Sequence, residues 1–116
     1  MEFRLDGMYF EMIKNRDKKV EIRLNDEKRQ QLKIGDELIF VRRGDDKQRI
    51  KTKVTALRHY KSFKEMVMFE PKNDIGFAFK TLDEIIETYE GFYSKEEEEK
   101  YGVLAIKFKI IKEKTN

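Results

Sequence analysis

Apolar and polar residues alternate cleanly in two stretches of the chain, and a period of two is the mark of a β-strand with one buried face. In Lys19–Leu24, Val20 and Ile22 fall on one side and Lys19, Glu21 and Arg23 on the other, with Lys18 at the strand entrance. In Val103–Ile111, Leu104, Ile106, Phe108 and Ile110 oppose Ala105, Lys107 and Lys109. Shorter apolar runs predict three more strands: Phe3–Leu5, Glu37–Arg42 after the Gly35-Asp36 turn, and a stretch around Ile50–Leu57 that the hairpin sequence GDDKQ joins to its predecessor.

Between them the spacing turns helical. Gly7–Lys14 puts Tyr9, Met12 and Ile13 on one side, with Asp6 placed to cap its start. Asn25 opens a short polar helical turn, DEKRQQL, and Ser62–Phe69 predicts a helix with Phe63, Met66 and Val67 inward. Thr81-Leu-Asp-Glu84 and Ser94-Lys-Glu-Glu97 both have the capping-box spacing, in which hydroxyl and carboxylate satisfy amides left free by the first turn. Leu82, Ile85, Ile86 and Tyr89 follow the first box. Gly91 is expected to end that helix in a left-handed conformation, and Gly102 to stop the next after Tyr101. The acidic run Glu96–Glu99 should favour the positive end of the helix dipole and otherwise face water. Adjacent Glu side chains point around a helix and do not converge on a metal. Five short strands with interspersed helices predict an α+β domain over 1–116, built as a small, partly open barrel or a strongly bent sheet.

Composition narrows the classes. A chain of 116 residues with 39% apolar content and nine Phe can close one compact core. Charged residues make up 42%, yet 26 Lys and Arg nearly offset 23 Asp and Glu, so the formal charge is only +3. The distribution of the cations therefore matters more than their total. Without cysteine there is no disulfide scaffold, thiolate zinc site or cysteine nucleophile. No metal and no organic cofactor is implied. The N-terminus lacks the basic start and apolar run of a signal peptide, and no apolar stretch approaches the roughly 20 residues that span a bilayer. The expectation is a cytoplasmic protein that does not engage a membrane. One Pro, no Cys or Trp, and abundant Lys, Glu and Ile suit a heat-adapted source.

The face carrying Lys19, Glu21 and Arg23, with Lys18 beside it, has the chemistry of a nucleotide site. Arg holds a phosphate by two parallel hydrogen bonds, Lys supplies a compact charge, and an ionised Glu accepts from an exocyclic amine or a ribose hydroxyl. The same spacing equally fits an internal ion pair, with Glu21 neutralised by Arg23 on a rigid, solvated face. His59, in ALRHYKSF beside Arg58 and Tyr60, is either a cleft-lining base or a surface imidazole. Tyr60 and Phe63 have the rings to stack on a base, unless Phe63 belongs to the core. Tyr93 and Tyr101 either anchor the last helix or reach a cleft. Lys107 and Lys109 either extend a basic stripe or guard an exposed strand.

The run KNRDKKVEIRLNDEKRQQLKIGDELIF resembles the ASCH (activating signal cointegrator homology) domain of the PUA-like superfamily, in particular its small single-domain prokaryotic proteins. In the family motif Gly-x-Lys-x-x-Glu-x-Arg, Lys18, Glu21 and Arg23 occupy the Lys, Glu and Arg positions, while Arg16 stands where Gly is usual. Gly35-Asp36 and the closing SKEEEEKYGVLAIKFKII are also similar, so the likeness runs over nearly the whole chain. It implies a mixed β-barrel of five to six strands with flanking short helices, and a cleft beside the motif. RNA or a modified nucleoside is the implied partner, bound by Lys18, Lys19, Glu21, Arg23, Arg58, His59 and Tyr60; the sequence does not fix the oligomeric state, and a monomer or a weak dimer is the expectation. Lys18 and Arg23 would contact phosphate, Glu21 a base or ribose. Some bacterial proteins of this kind are amidohydrolases of N4-acylated cytidine that use a Lys, a Thr nucleophile and a Glu. Their Lys falls on Lys18, but Glu21 occupies the Thr position, which removes the hydroxyl nucleophile. A hydrolase or ribonuclease with Lys18 and Glu21 catalytic, Glu21 serving as general base, is one alternative; a protein-interaction module is another. The motif Gly would supply positive φ, so Arg16 implies that Asn15 takes that conformation or that the turn is rebuilt, and it adds a cation at the cleft rim.

Overall fold

The computed structural model describes residues 1–111; the last part of the expected 1–116 domain, residues 112–116, lies outside them. Among the described residues, β1 (Glu2–Leu5), β2 (Val20–Leu24), β3 (Glu37–Arg42), β4 (Asp45–Tyr60) and β5 (Val103–Ile110) form one mixed sheet in the order β1-β3-β4-β5-β2. β1 runs parallel to β3, and the remaining pairs are antiparallel. β4, expected to begin near Ile50, is 16 residues long and takes in the hairpin sequence itself, with Gly44 at φ 88° in the turn. A register shift between Val54 and Ala56 bends it, so its first half pairs with β3 and its second with β5.

That bend curls the sheet into a half-barrel whose edges, β1 and β2, face each other without pairing. The Arg23 guanidinium of β2 lies 4.5 Å from the centre of the Phe3 ring of β1 and closes the seam. Inside the curl, Phe3, Leu38, Phe40, Leu104, Ile106 and Phe108 pack with Phe10 and Ile13 of α1 (Gly7–Lys14). Outside it, Val20, Ile22, Val103 and Ala105 pack against Phe63, Met66 and Val67 of α2 (Phe63–Phe69) and Ile85 and Tyr89 of α3 (Leu82–Phe92). The first half of β5 is therefore buried on both faces, and the alternation of burial returns only beyond the helices, at Lys107 and Lys109.

The helix ends follow local chemistry. Ser62 caps α2, and both predicted capping boxes form, at Thr81 for α3 and at Ser94 for α4 (Lys95–Tyr101). Three expectations are corrected. Asp6 occupies the cap position of α1 without a side-chain cap bond, and its carboxylate lies 3.5 Å from Arg43. Gly91 sits inside α3, which runs on to Phe92. Glu98, expected in water, is buried, and its Oε2 accepts from the Phe63 N–H at 2.7 Å, so the acidic run of one helix satisfies the free amide of another. Gly102 does end α4, at φ 71°, where a Cβ would approach the Tyr60 carbonyl to 2.9 Å. None of the described helices is long and apolar enough to cross a membrane.

The turn after α1 departs from expectation in an informative way. Asn15 stays right-handed at φ −83°, and Arg16 itself takes φ 66°. A side chain in this region costs roughly 1–2 kcal/mol, partly offset by the larger unfolded-state entropy of glycine. Arg16→Gly is expected to stabilise the fold by about 0.5–1 kcal/mol, read as a shift of the urea unfolding midpoint.

Candidate functional site

Backbone hydrogen bonds set the motif before its side chains act. The amides of Asp17 and Lys18 both donate to the Met12 carbonyl at the end of α1, at 2.8 and 3.1 Å. Those of Lys19 and Val20 donate to the Asp74 carbonyl, at 2.8 and 3.0 Å. β2 therefore begins at Val20. Alternation then puts Glu21 and Arg23 on one face, as expected, while Lys19 lies before the strand, exposed, in a different recess with Arg16 and Lys109. The clustered cation is instead Lys18, which is 3% exposed.

Lys18 Nζ donates to the carbonyls of Val20 and Ile75 at 3.0 and 2.9 Å and to Glu21 Oε1 at 3.0 Å, which uses all three of its N–H groups. Gly76, at φ 91°, makes room for its stem: a Cβ there would lie 3.3 Å from Lys18 Cδ. Arg23 Nε donates to Glu21 Oε2 at 2.8 Å. Burial by itself would raise the Glu21 carboxyl, but the charges and hydrogen bonds of Lys18 and Arg23 outweigh it and hold the group below the ordinary carboxylate range. Glu21 is thus ionised, with a lone pair left on each oxygen. Among the described residues only the Nε of Arg23 is hydrogen-bonded, which leaves its Nη1 and Nη2 edge for a ligand.

This cluster opens on a cleft of ≈ 320 Å³ between the unpaired edges of the half-barrel. Aromatic rings supply much of its wall: Tyr9 from α1, Phe77 from the loop before α3, Tyr89 and Phe92 from α3, and Tyr93 beyond it. Phe77 meets Tyr9 and Tyr89 edge to face at 5.7 and 5.6 Å, while Phe63 stacks behind Tyr89 and Tyr93 at 4.9 and 5.6 Å. Burial, followed by the Asp6 and Glu21 charges at Tyr9 and the Glu21 charge at Tyr89, raises both phenols, so both hydroxyls remain protonated donors. Arg4 and Arg43 line the cleft beside Arg23, and their ion pairs with Asp46 and Asp6 are exposed.

The structure separates the other candidate residues from this cleft. Arg58 and Tyr60 project from β4 into a recess of ≈ 590 Å³ beside α2. There Arg58 makes a bidentate pair with Glu70 at 2.6 and 2.6 Å, and the Tyr60 hydroxyl donates to the same carboxylate. Burial opposes the charge of Glu70, but these hydrogen bonds hold its carboxyl below the ordinary range. Tyr60 also stacks on the exposed ring of Phe69 at 6.0 Å. His59 alternates to the opposite face, where it is exposed. Phe63 is in the core, Tyr101 packs on the outer core, and Tyr93 reaches the cleft. Tyr9 and Tyr89 were legible as the apolar sides of helices but not as cleft walls, because the cleft lies at the rim of the outer core and one ring serves both. For Phe77 no periodic signal exists.

A curled half-barrel with a buried Lys-Glu pair and its Arg partner at the foot of an aromatic cleft defines a class, and residues 5–112 match the family model of the ASCH domain, so the chain belongs to that family. It is similar to the crystal structure of hypothetical protein PH0355, with 39% identity and a TM-score of 0.79 over 96% of this chain and 100% of that one. It is also similar to the solution structure of protein PF0455 from Pyrococcus furiosus, with 37% identity and a TM-score of 0.72 over 97% of this chain and 100% of that one. No curated protein matches the chain.

Proposed function

We propose that the protein binds RNA by drawing one unstacked nucleotide into the cleft between β1 and β2. The observation that carries this is an ionised, immobilised carboxylate, Glu21, at the foot of a cleft walled by aromatic rings beside the outer edge of Arg23. Glu21 accepts from an exocyclic amine or a ribose hydroxyl, Arg23 forks a phosphate, and Phe92, 71% exposed, offers a ring face for stacking. Arg4 and Arg43 supply charge for the next phosphate. Lys18, whose N–H groups are all engaged, acts as a positioning residue that fixes Glu21, in place of the phosphate contact its sequence position suggests. Membership of the ASCH family, which is generally thought to bind RNA, supports the same reading.

The test is RNA affinity by fluorescence anisotropy across salt concentrations. Arg23→Glu is expected to weaken binding at least about tenfold and to flatten the salt slope by about 0.7, the release expected for one phosphate contact on a single strand. Phe92→Ala is expected to weaken binding by about 1–3 kcal/mol, the range for one lost base stack, without changing the melting temperature. Unchanged affinity in both variants would refute the proposal.

A further inference from the structure

Outside the cleft, cations without carboxylate neighbours line the surface around the turn that follows α1. Two recesses meet there, of ≈ 330 and ≈ 490 Å³, and both are lined by Arg16 and Ile110. Lys14, Lys19, Lys47, Lys51 and Lys109 complete the cationic lining, and no carboxylate lines either recess. Arg49 also lines the larger one but is paired with Glu2. None of those five lysines is in an ion pair among the described residues, and Arg16 is the only described arginine without one. In a chain whose formal charge is only +3, such segregation is not a compositional consequence.

Arg16 ties this patch together. Among the described residues it is the one non-glycine at positive φ, a conformation that costs stability, and it lines both recesses. Lys18, in the same turn, lines both the smaller basic recess and the aromatic cleft, so the two sites are the two sides of one short loop. The lining suits a linear polyanion better than a lipid surface. It is concave and cationic, and in the smaller recess the apolar members Ile13 and Phe108 are withdrawn, at 0% and 6% exposure; Ile111, 39% exposed, is a single apolar residue beside the larger one and not the broad apolar face that a lipid surface needs.

We propose that this basic end, centred on Arg16, holds the sugar–phosphate backbone of the single-stranded nucleic acid whose base occupies the cleft. It rests on the cleft assignment only for the identity of that strand, and adds a second, sequence-independent contact surface. The strand would pass from the cleft over the Asn15–Lys19 turn, giving up counterions to Arg16, Lys19 and Lys109 and then to Lys14, Lys47 and Lys51.

The experiment compares a single-stranded RNA of about 20 nucleotides, longer than a one-domain footprint, with cytidine 5′-monophosphate, which fits the cleft alone. Arg16→Gly is expected to weaken the RNA several-fold and flatten its salt slope by about 0.7 while raising the melting temperature; a merely structural role for Arg16 would not separate these two readouts. Arg16→Lys should restore RNA affinity. Lys19→Glu with Lys109→Glu is expected to weaken the RNA at least about tenfold and leave mononucleotide affinity unchanged. Arg23→Glu, by contrast, reduces both if the cleft assignment holds; if only that assignment fails, Arg23→Glu does nothing while the basic-end variants still act. Unchanged RNA affinity and salt slope in the basic-end variants would overturn the proposal. So would loss of binding to phosphatidylcholine–phosphatidylserine vesicles with RNA binding intact, since the surface would then serve a membrane.

Discussion

Lys18→Ala is expected to cost about 3–5 kcal/mol of stability, the range for breaking a buried ion pair from one side. Three acceptors lose their donor at once: the carbonyls of Val20 and Ile75 and the Glu21 carboxylate. The remaining partner of Glu21, Arg23, is 19% exposed along its side chain and does not replace a donor inside the fold. Removing both charges together is less harmful than removing one, because no fully buried ion is left uncompensated; Arg23, which loses Glu21, is partly exposed to water. Lys18→Met with Glu21→Leu should therefore recover part of the loss, and urea unfolding of the two single variants and the double variant measures the coupling. Acid makes the same point. The folded-state pKa of Glu21 is depressed, so its contribution is complete above the unfolded carboxyl value of about 4.3 and is lost as pH falls through the folded value. Glu70, held down by Arg58 and Tyr60, adds a loss in the same direction. Stability should fall on acidification below about pH 4–5, and Glu21→Gln should show a flatter fall. A profile identical to that of the unaltered protein would contradict the assigned ion pair.

Phe63→Ala is expected to be comparably severe, about 3–5 kcal/mol, the usual cost of truncating a fully buried aromatic. Phe63 is 0% exposed, stacks on Tyr89 and Tyr93, and gives its amide to Glu98. It touches no ligand in the proposed complex, yet two walls of the cleft lean on it. RNA affinity should therefore drop in this variant even at temperatures where it remains folded, with the melting temperature reduced in the same preparation. Phe92→Ala is the counterpart, reducing affinity with no change in melting. If Phe63→Ala melts early but binds RNA with unaltered affinity while folded, the support of Tyr89 and Tyr93 by the core is not what shapes the cleft.

Much of the architecture is legible along the chain because its causes are local. Two hydroxyl-to-carboxylate spacings place the starts of α3 and α4, and the trio Phe63, Met66 and Val67 turns inward because all three fall on one helical face. β4 is under-read for an equally physical reason. Its first residues, DDKQ, form an exposed part of the hairpin and carry no apolar face, so no hydrophobic signal announces a strand. The substitution of Lys18 for Lys19 in the cluster depends on where β2 begins. That is set by the Asp74 carbonyl, far along the chain, catching the amides of Lys19 and Val20. Arg58 and Tyr60 look like neighbours of the motif in a list of polar and aromatic residues, but Glu70 claims both.

By itself the sequence determined the type and order of the elements, the capping boxes of α3 and α4, the shared face of Glu21 and Arg23, and the motif that marks them. Each depends on spacing within a few residues, which the backbone converts directly into direction. Only the tertiary structure decided that β1 and β2 come to face each other, that aromatic rings from helices and a loop wall the gap between them, and that Lys14, Lys19, Lys47, Lys51 and Lys109 line recesses shared with Arg16. Those outcomes depend on how far a bent β4 curls the sheet and on which distant surfaces the curl brings together, and alternation along a strand carries no record of either.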